Sequence, residues 1–97
     1  ETGTAPEFIF EVLEQRLKLQ VLLSDRGGAR GTLDRIERIA PVMQSPLYTA
    51  RALYARAGFL QPLDPKRARP DFLEAQRVFS AFGYPQWADR VSSELSG

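Results

Sequence analysis

The chain has 97 residues, 43% of them apolar, and its 13 basic and 12 acidic residues leave a net charge of +1. That size bounds it to one domain near the lower limit of a self-sufficient core, and the interspersed charges leave no one-sided footprint for nucleic acid or an acidic membrane. Neither cysteine nor histidine occurs, which removes disulfides, a thiol nucleophile, the commonest general base and the commonest transition-metal ligand together. The composition therefore reads as a non-catalytic protein with no metal and no cofactor.

Glu1-Thr2-Gly3 reads as a cloning or secretion-vector remnant and is set aside; residues 4–97 read as a single helical-repeat domain. With no initiator methionine and no signal-peptide pattern, the expectation is an excised piece of a larger cytoplasmic protein. Eleven arginines against two lysines hint at a GC-rich bacterial source. No stretch approaches the roughly 18 consecutive apolar residues of a membrane span.

The spacing predicts five helices. The first covers Pro6 to Ser24, with Thr4 as cap, Pro6 in the first turn and Gly27-Gly28 as the stop. Phe10, Leu13, Leu17 and Val21 form one stripe, and Ile9, Val12, Leu19, Leu22 and Leu23 form a second, so this helix is apolar on more than one side. In a stack of helical repeats with only two hairpins and a last helix, the expectation is marginal stability or an exposed face at the N-terminal end, where upstream repeats or a second protomer would sit. Residues 7–23 also alternate as a strand pair, but the hairpin turn would fall at Leu13-Glu14-Gln15-Arg16, which holds no turn-forming residue. Asp25 to Gly31 reads as a hairpin turn; as a phosphate loop it lacks the lysine and the spacing.

The second helix is expected over Ala29 to Gln44, with Leu33, Ile36, Ile39 and Ala40 inward and Pro41 kinking or ending it. Ser45-Pro46 reads as the cap and first position of a third helix reaching Leu60, its inward residues Leu47, Ala50, Leu53, Tyr54 and Ala57. Gln61 to Pro70, with three prolines and the basic run Lys66-Arg67-Ala68-Arg69, reads as an exposed connector. A fourth helix from Asp71 to Phe82 stops at Gly83, and a fifth runs from Pro85 to Leu95.

Two carboxylate pairs, Asp34 with Glu37 and Asp71 with Glu74, fall one turn apart near expected helix starts, where the helix dipole accounts for them. Phe72, Phe79, Phe82 and Trp87 sit at core-like spacings. Tyr48, Tyr54 and Tyr84 carry polar tips that suit a rim, and Arg51 lies one turn from both Tyr48 and Tyr54. Glu14 and Lys18 are one turn apart on the first helix, an ordinary ion-pair spacing. With helices one and three lining one surface, Glu14, Lys18, Tyr48, Arg51 and Tyr54 are the candidate binding residues.

The run Ala75, Phe79, Phe82-Gly83, Trp87-Ala88, Arg90, Glu94-Leu95 resembles the final repeat of the tetratricopeptide-like arrays in bacterial LuxR-type ATP-dependent transcriptional regulators and related signal-transduction ATPases. Ala29, Leu33, Ile36 and Pro41 are similar to the second helix of such a repeat. The resemblance implies an all-α fold of about five antiparallel helices: two tetratricopeptide-like hairpins and a C-terminal capping helix closed by Trp87 and Leu95. It further implies an interaction or signal-relay module of a bacterial transcription regulator, meeting a protein or peptide, another domain of its own chain, or a second copy. A small-molecule effector domain, with the ligand near Tyr54 and Arg51, is the alternative; nucleic acid is not expected for this segment, and neither is a membrane.

Overall fold

A computed structural model of the chain describes residues 5–96. The fold is all-α: α1 (Pro6–Leu22), α2 (Arg26–Ile39), a 3-10 turn (Ala40–Met43), α3 (Pro46–Leu60), α4 (Pro65–Ala81) and α5 (Pro85–Ser96), with no strand among the described residues. The strand-pair reading of residues 7–23 gives way to one helix, because Phe10, Leu13 and Leu17 are brought to a single buried face only at helical spacing. The proposed Thr4 cap lies outside the described residues. Ala5 occupies the cap position without a side-chain bond, and Pro6 opens the helix.

The first turn differs from the expectation. α1 stops at Leu22, and Ser24 takes up the left-handed conformation at φ 59°. Asp25 then caps α2, its side chain accepting the Gly28 N–H at 3.0 Å. Gly27 and Gly28 therefore lie inside α2 rather than stopping α1, and the turn shrinks to Leu23–Asp25. A strong N-cap outweighs the glycines' poor helix propensity. Gly28 is also needed there, since a Cβ would lie 2.2 Å from the Asp25 Oδ2.

Pro41 ends α2 by turning the chain into a 3-10 turn, with Gln44 left-handed at φ 49°. Ser45 holds the cap position of α3 with extended backbone, although its side chain makes no capping bond. α3 has the bounds that Pro46 and the downstream prolines imply.

The largest departure is α4. Asp64 accepts the Arg67 N–H at its cap and Pro65 takes the first position, so most of the supposed connector is helical. Pro70 stands inside the helix and forgoes one backbone bond. Burial of Ala68 and Phe72 on either side of it offsets that cost, because an unwound connector would withdraw both from the core. Phe82, expected to pack, is 59% exposed just past the end of α4. Gly83 then supplies the left-handed residue at φ 81° that turns the chain into α5.

Short links make α1–α2 and α3–α4 antiparallel hairpins, with α5 laid against α4. Phe10, Leu13, Leu17, Ala29, Leu33 and Ile36 fill the first hairpin, joined by Phe59 from α3. Ala50 and Ala57 of α3 meet Ala68 and Ala75 of α4 in a fully buried small-residue seam, flanked by Phe72, Phe79 and Val91. Leu60 packs against both clusters and joins them. Polar links cross the elements as well. Arg56 of α3 grips Asp71 of α4 through two bonds of 2.7 and 2.9 Å and reaches Glu37 of α2 at 3.6 Å. Thr32 donates to Gln20 at 2.7 Å, and Gln76 donates to Ser92 at 2.6 Å. Every buried side-chain polar atom among the described residues has a partner.

Candidate functional site

The Cα extents of 43 × 33 × 17 Å describe a slab about two helices thick. α1, α3 and α5 bound a cleft of about 740 Å³, with Phe72 of α4 and Pro62 of the α3–α4 link reaching its edge. Leu17 and Val21 of α1, Ala55, Gly58 and Phe59 of α3 line its apolar part. Its rim is polar: Glu11 and Lys18 on α1, Arg90 and Glu94 on α5.

Arg51 sits in the wall of this cleft. Its Nε donates to Glu14 Oε2 at 3.0 Å and its Nη2 donates to Glu14 Oε1, closing a two-pronged pair across α1 and α3 whose side chains are only 10% and 11% exposed. Burial opposes the charge on Arg51, but the hydrogen bonds and attraction of Glu14 outweigh it and hold the guanidinium above its ordinary pKa. The guanidinium also lies over three aromatic rings, at 5.4 Å from Phe10, 4.9 Å from Tyr48 and 4.7 Å from Trp87. Glu14 is thus paired across the fold with Arg51 rather than along its helix with Lys18; the long-range partner is planar, desolvated and locked by packing, while Lys18 stays in solvent.

Trp87 is half-buried and has two jobs. It stacks on the core residue Phe79 at 5.5 Å and 23°, and it presents an edge to Tyr54 at 6.0 Å. Arg51 covers it at 4.7 Å and Arg90 at 4.5 Å, so the indole is flanked by two cations. Trp87 therefore closes the core and lines the cleft. Tyr54 beside it is kept protonated above its ordinary range, chiefly by burial and then by the negative charge of Glu94.

Of the candidate residues, Glu14, Lys18, Arg51 and Tyr54 converge on the cleft, and Tyr48 does not line it. Tyr48 packs edge-on against Phe10 at 5.1 Å and supports Arg51 from below. Trp87, Arg90 and Glu94 were not legible as cleft residues, because α5 meets α1 and α3 only through the tertiary fold; Phe59, on α3, was not legible because it falls outside the inward stripe Leu47, Ala50, Leu53, Tyr54 and Ala57. One signal was present: the spacing of Trp87 and Arg90 by three residues puts a cation over an indole on one helix face.

The carboxylate pairs have a different role from the one their spacing implied. Once α2 begins at Arg26 and α4 at Pro65, none of the four carboxylates lies in a first turn. Arginines take each of them: Asp34 with Arg30, Glu37 and Asp71 with Arg56, Glu74 with Arg77. Among the described residues, no cluster of acidic residues able to hold a metal occurs, and no helix is long and apolar enough to cross a membrane. No family model, curated protein or solved structure matches this chain.

Proposed function

We propose that this chain is a non-catalytic protein-protein interaction or signal-relay module whose α1–α3–α5 cleft takes up a peptide segment of a partner. The partner is another domain of the same polypeptide or a separate protein. The observation that carries the reading is the Glu14–Arg51–Trp87 wall. Its charges satisfy one another inside the fold, so it is a preorganised surface rather than a set of free reactive groups. Around it the apolar floor offers anchoring area, and the rim of mixed sign, Glu11, Lys18, Arg90 and Glu94, suits a segment with apolar anchors and polar flanks. The setting, a cytoplasmic bacterial transcription regulator, rests on the tetratricopeptide-like resemblance of Ala75 to Leu95 and of Ala29 to Pro41, with the arginine-rich composition as a hint of source.

The second reading, a small-molecule effector domain, is favoured by the cleft's volume, which falls within the range of ligand pockets. The two separate by experiment. Peptides selected on the protein from a random display library are expected to change the emission of Trp87, the single tryptophan, on titration. Gly58→Gln fills the floor at a position where a Cβ meets nothing within 4 Å, so it is expected to weaken that binding at least tenfold with the fold intact. Selected peptides that bind G58Q as well as the parent protein would remove the cleft from the account. Enrichment of no peptide, with saturable binding of a small aromatic anion such as anilinonaphthalene sulfonate that G58Q abolishes, would favour the effector reading.

A further inference from the structure

α1 carries a second apolar face that nothing among the described residues covers. Phe8, Val12, Leu19 and Leu22 are exposed, at 60%, 43%, 58% and 80%, on the side opposite the buried Phe10, Leu13 and Leu17. With Gln15 they follow one another at spacings of four, three, four and three, the a/d seam of a helix that pairs with another helix. Leu23, 70% exposed, extends the same side. Isolated exposed apolar residues are ordinary, but a seam over the whole length of a helix is not.

The charges beside the seam point to its occupant. Glu11 and Lys18 lie seven residues apart along the same flank, and neither has an ion-pair partner among the described residues. In an antiparallel helix pair, like flanks face each other. Two copies of α1 set antiparallel so that Phe8 meets Leu19 of the other copy bring Glu11 of each opposite Lys18 of the other. The two-fold symmetry makes this twice over. Slipping the pair by one heptad places Lys18 against Lys18 and Arg16 against Arg16, so charge selects the first register. A parallel pair sets Glu11 against Arg16 instead and leaves Lys18 unmatched, so it makes as many ion pairs, but it aligns the two helix dipoles side by side in the same direction, and this favours the antiparallel pair.

We propose that a second copy of this chain covers the outer face of α1, in an antiparallel two-fold pair held by Phe8, Val12 and Leu19 and registered by reciprocal Glu11–Lys18 ion pairs. The cleft opens on the same flank as Glu11 and Lys18, so the pair sets two clefts side by side. Phe8, Val12 and Leu19 lie outside the cleft, whereas Glu11, Gln15, Lys18 and Leu22 also border it, so the pair takes up the α1 side of the rim and leaves the floor at Ala55, Gly58 and Phe59 open.

Sedimentation equilibrium tests it. The parent protein is expected to move from monomer towards twice the monomer mass as concentration rises. Leu19→Glu is expected to stay monomeric with an unchanged circular dichroism spectrum, since Leu19 makes no part of the core. Glu11→Lys and Lys18→Glu are each expected to weaken association at least tenfold at low salt, and the double variant E11K/K18E to restore it. A parent protein that is monomeric throughout would overturn the proposal. So would association that survives L19E, or single variants that weaken it without rescue by the double variant. A parallel pair, in which position 11 faces Arg16 and Lys18 faces no charge, would instead show E11K weakening association, K18E leaving it unchanged and the double variant matching E11K, which would equally overturn the proposal.

Discussion

Arg51 shows how far single residues can be read. Its one-turn spacing from Tyr48 and Tyr54 marks it as an aromatic-stacked arginine, and it does stack, but the partner that fixes it, Glu14, lies 37 positions away in the chain. No local spacing could show that bond. Removing one member of a pair this buried leaves a charge without compensation, so Arg51→Ala is expected to cost about 3 kcal/mol. Replacing both, as Glu14→Leu with Arg51→Met, is expected to recover most of that loss, because an apolar pair of similar volume forgoes the desolvation. Urea denaturation of the parent and both variants checks this. Tyr54 gives a pH test. Its pKa is raised in the folded chain, so the unfolded chain releases its proton first, near pH 10. A raised folded pKa of this kind opposes the phenolate, so the folded state's advantage is whole below that point and falls as pH rises through the folded pKa. Tyr54→Phe is expected to flatten the fall of stability that sets in as pH rises above about 10, read as the unfolding midpoint at each pH.

Among the elements, α3 was legible to its ends because Pro46 and the downstream prolines bracket a run dominated by alanine, leucine and arginine, in which Gly58 is the one break. α4 was not, because the rule that proline breaks helices omits what the tertiary fold recovers when Ala68 and Phe72 are buried. The missing backbone bond at Pro70 remains a cost. Pro70→Ala at this exposed position is expected to stabilise the protein by about 1–3 kcal/mol, raising the melting temperature by several degrees. The glycines of α2 make a sharper pair. Gly31 has open space beside it, and Gly31→Ala is expected to gain about 0.5–1 kcal/mol. Gly28→Ala would gain the same by propensity, but its Cβ drives into Asp25 and Gln20. Loss of that cap costs about 1 kcal/mol, so thermal melts should show G28A below the parent and G31A above it. The start of α2 was misplaced for the same reason: Gly27-Gly28 reads as a stop, and only the Asp25 cap shows that these glycines begin the next helix.

At the scale of the molecule, two helical hairpins and a closing helix were readable from the periodicity, and so was a first helix apolar on more than one side. The cleft was readable only on its α1 and α3 sides. Its third wall depends on α5 folding back so that Trp87 meets Arg51, a contact between residues 36 apart in sequence with no periodic signature. The fold accounts for one of the two apolar stripes of α1, the one buried at Phe10, Leu13 and Leu17; the outer one stays exposed, and the proposed pairing of two copies is what would cover it. The account rests on the cleft as the recognition surface, and the most direct measurement is a nitrogen–proton correlation spectrum of the labelled protein titrated with a display-selected peptide. The shifts are expected to concentrate at Leu17 to Leu22, Tyr54 to Phe59 and Trp87 to Glu94, with the Trp87 indole signal among the most displaced. Shifts confined to α2 and the outer face of α4, with the Trp87 indole unmoved at saturation, would contradict it.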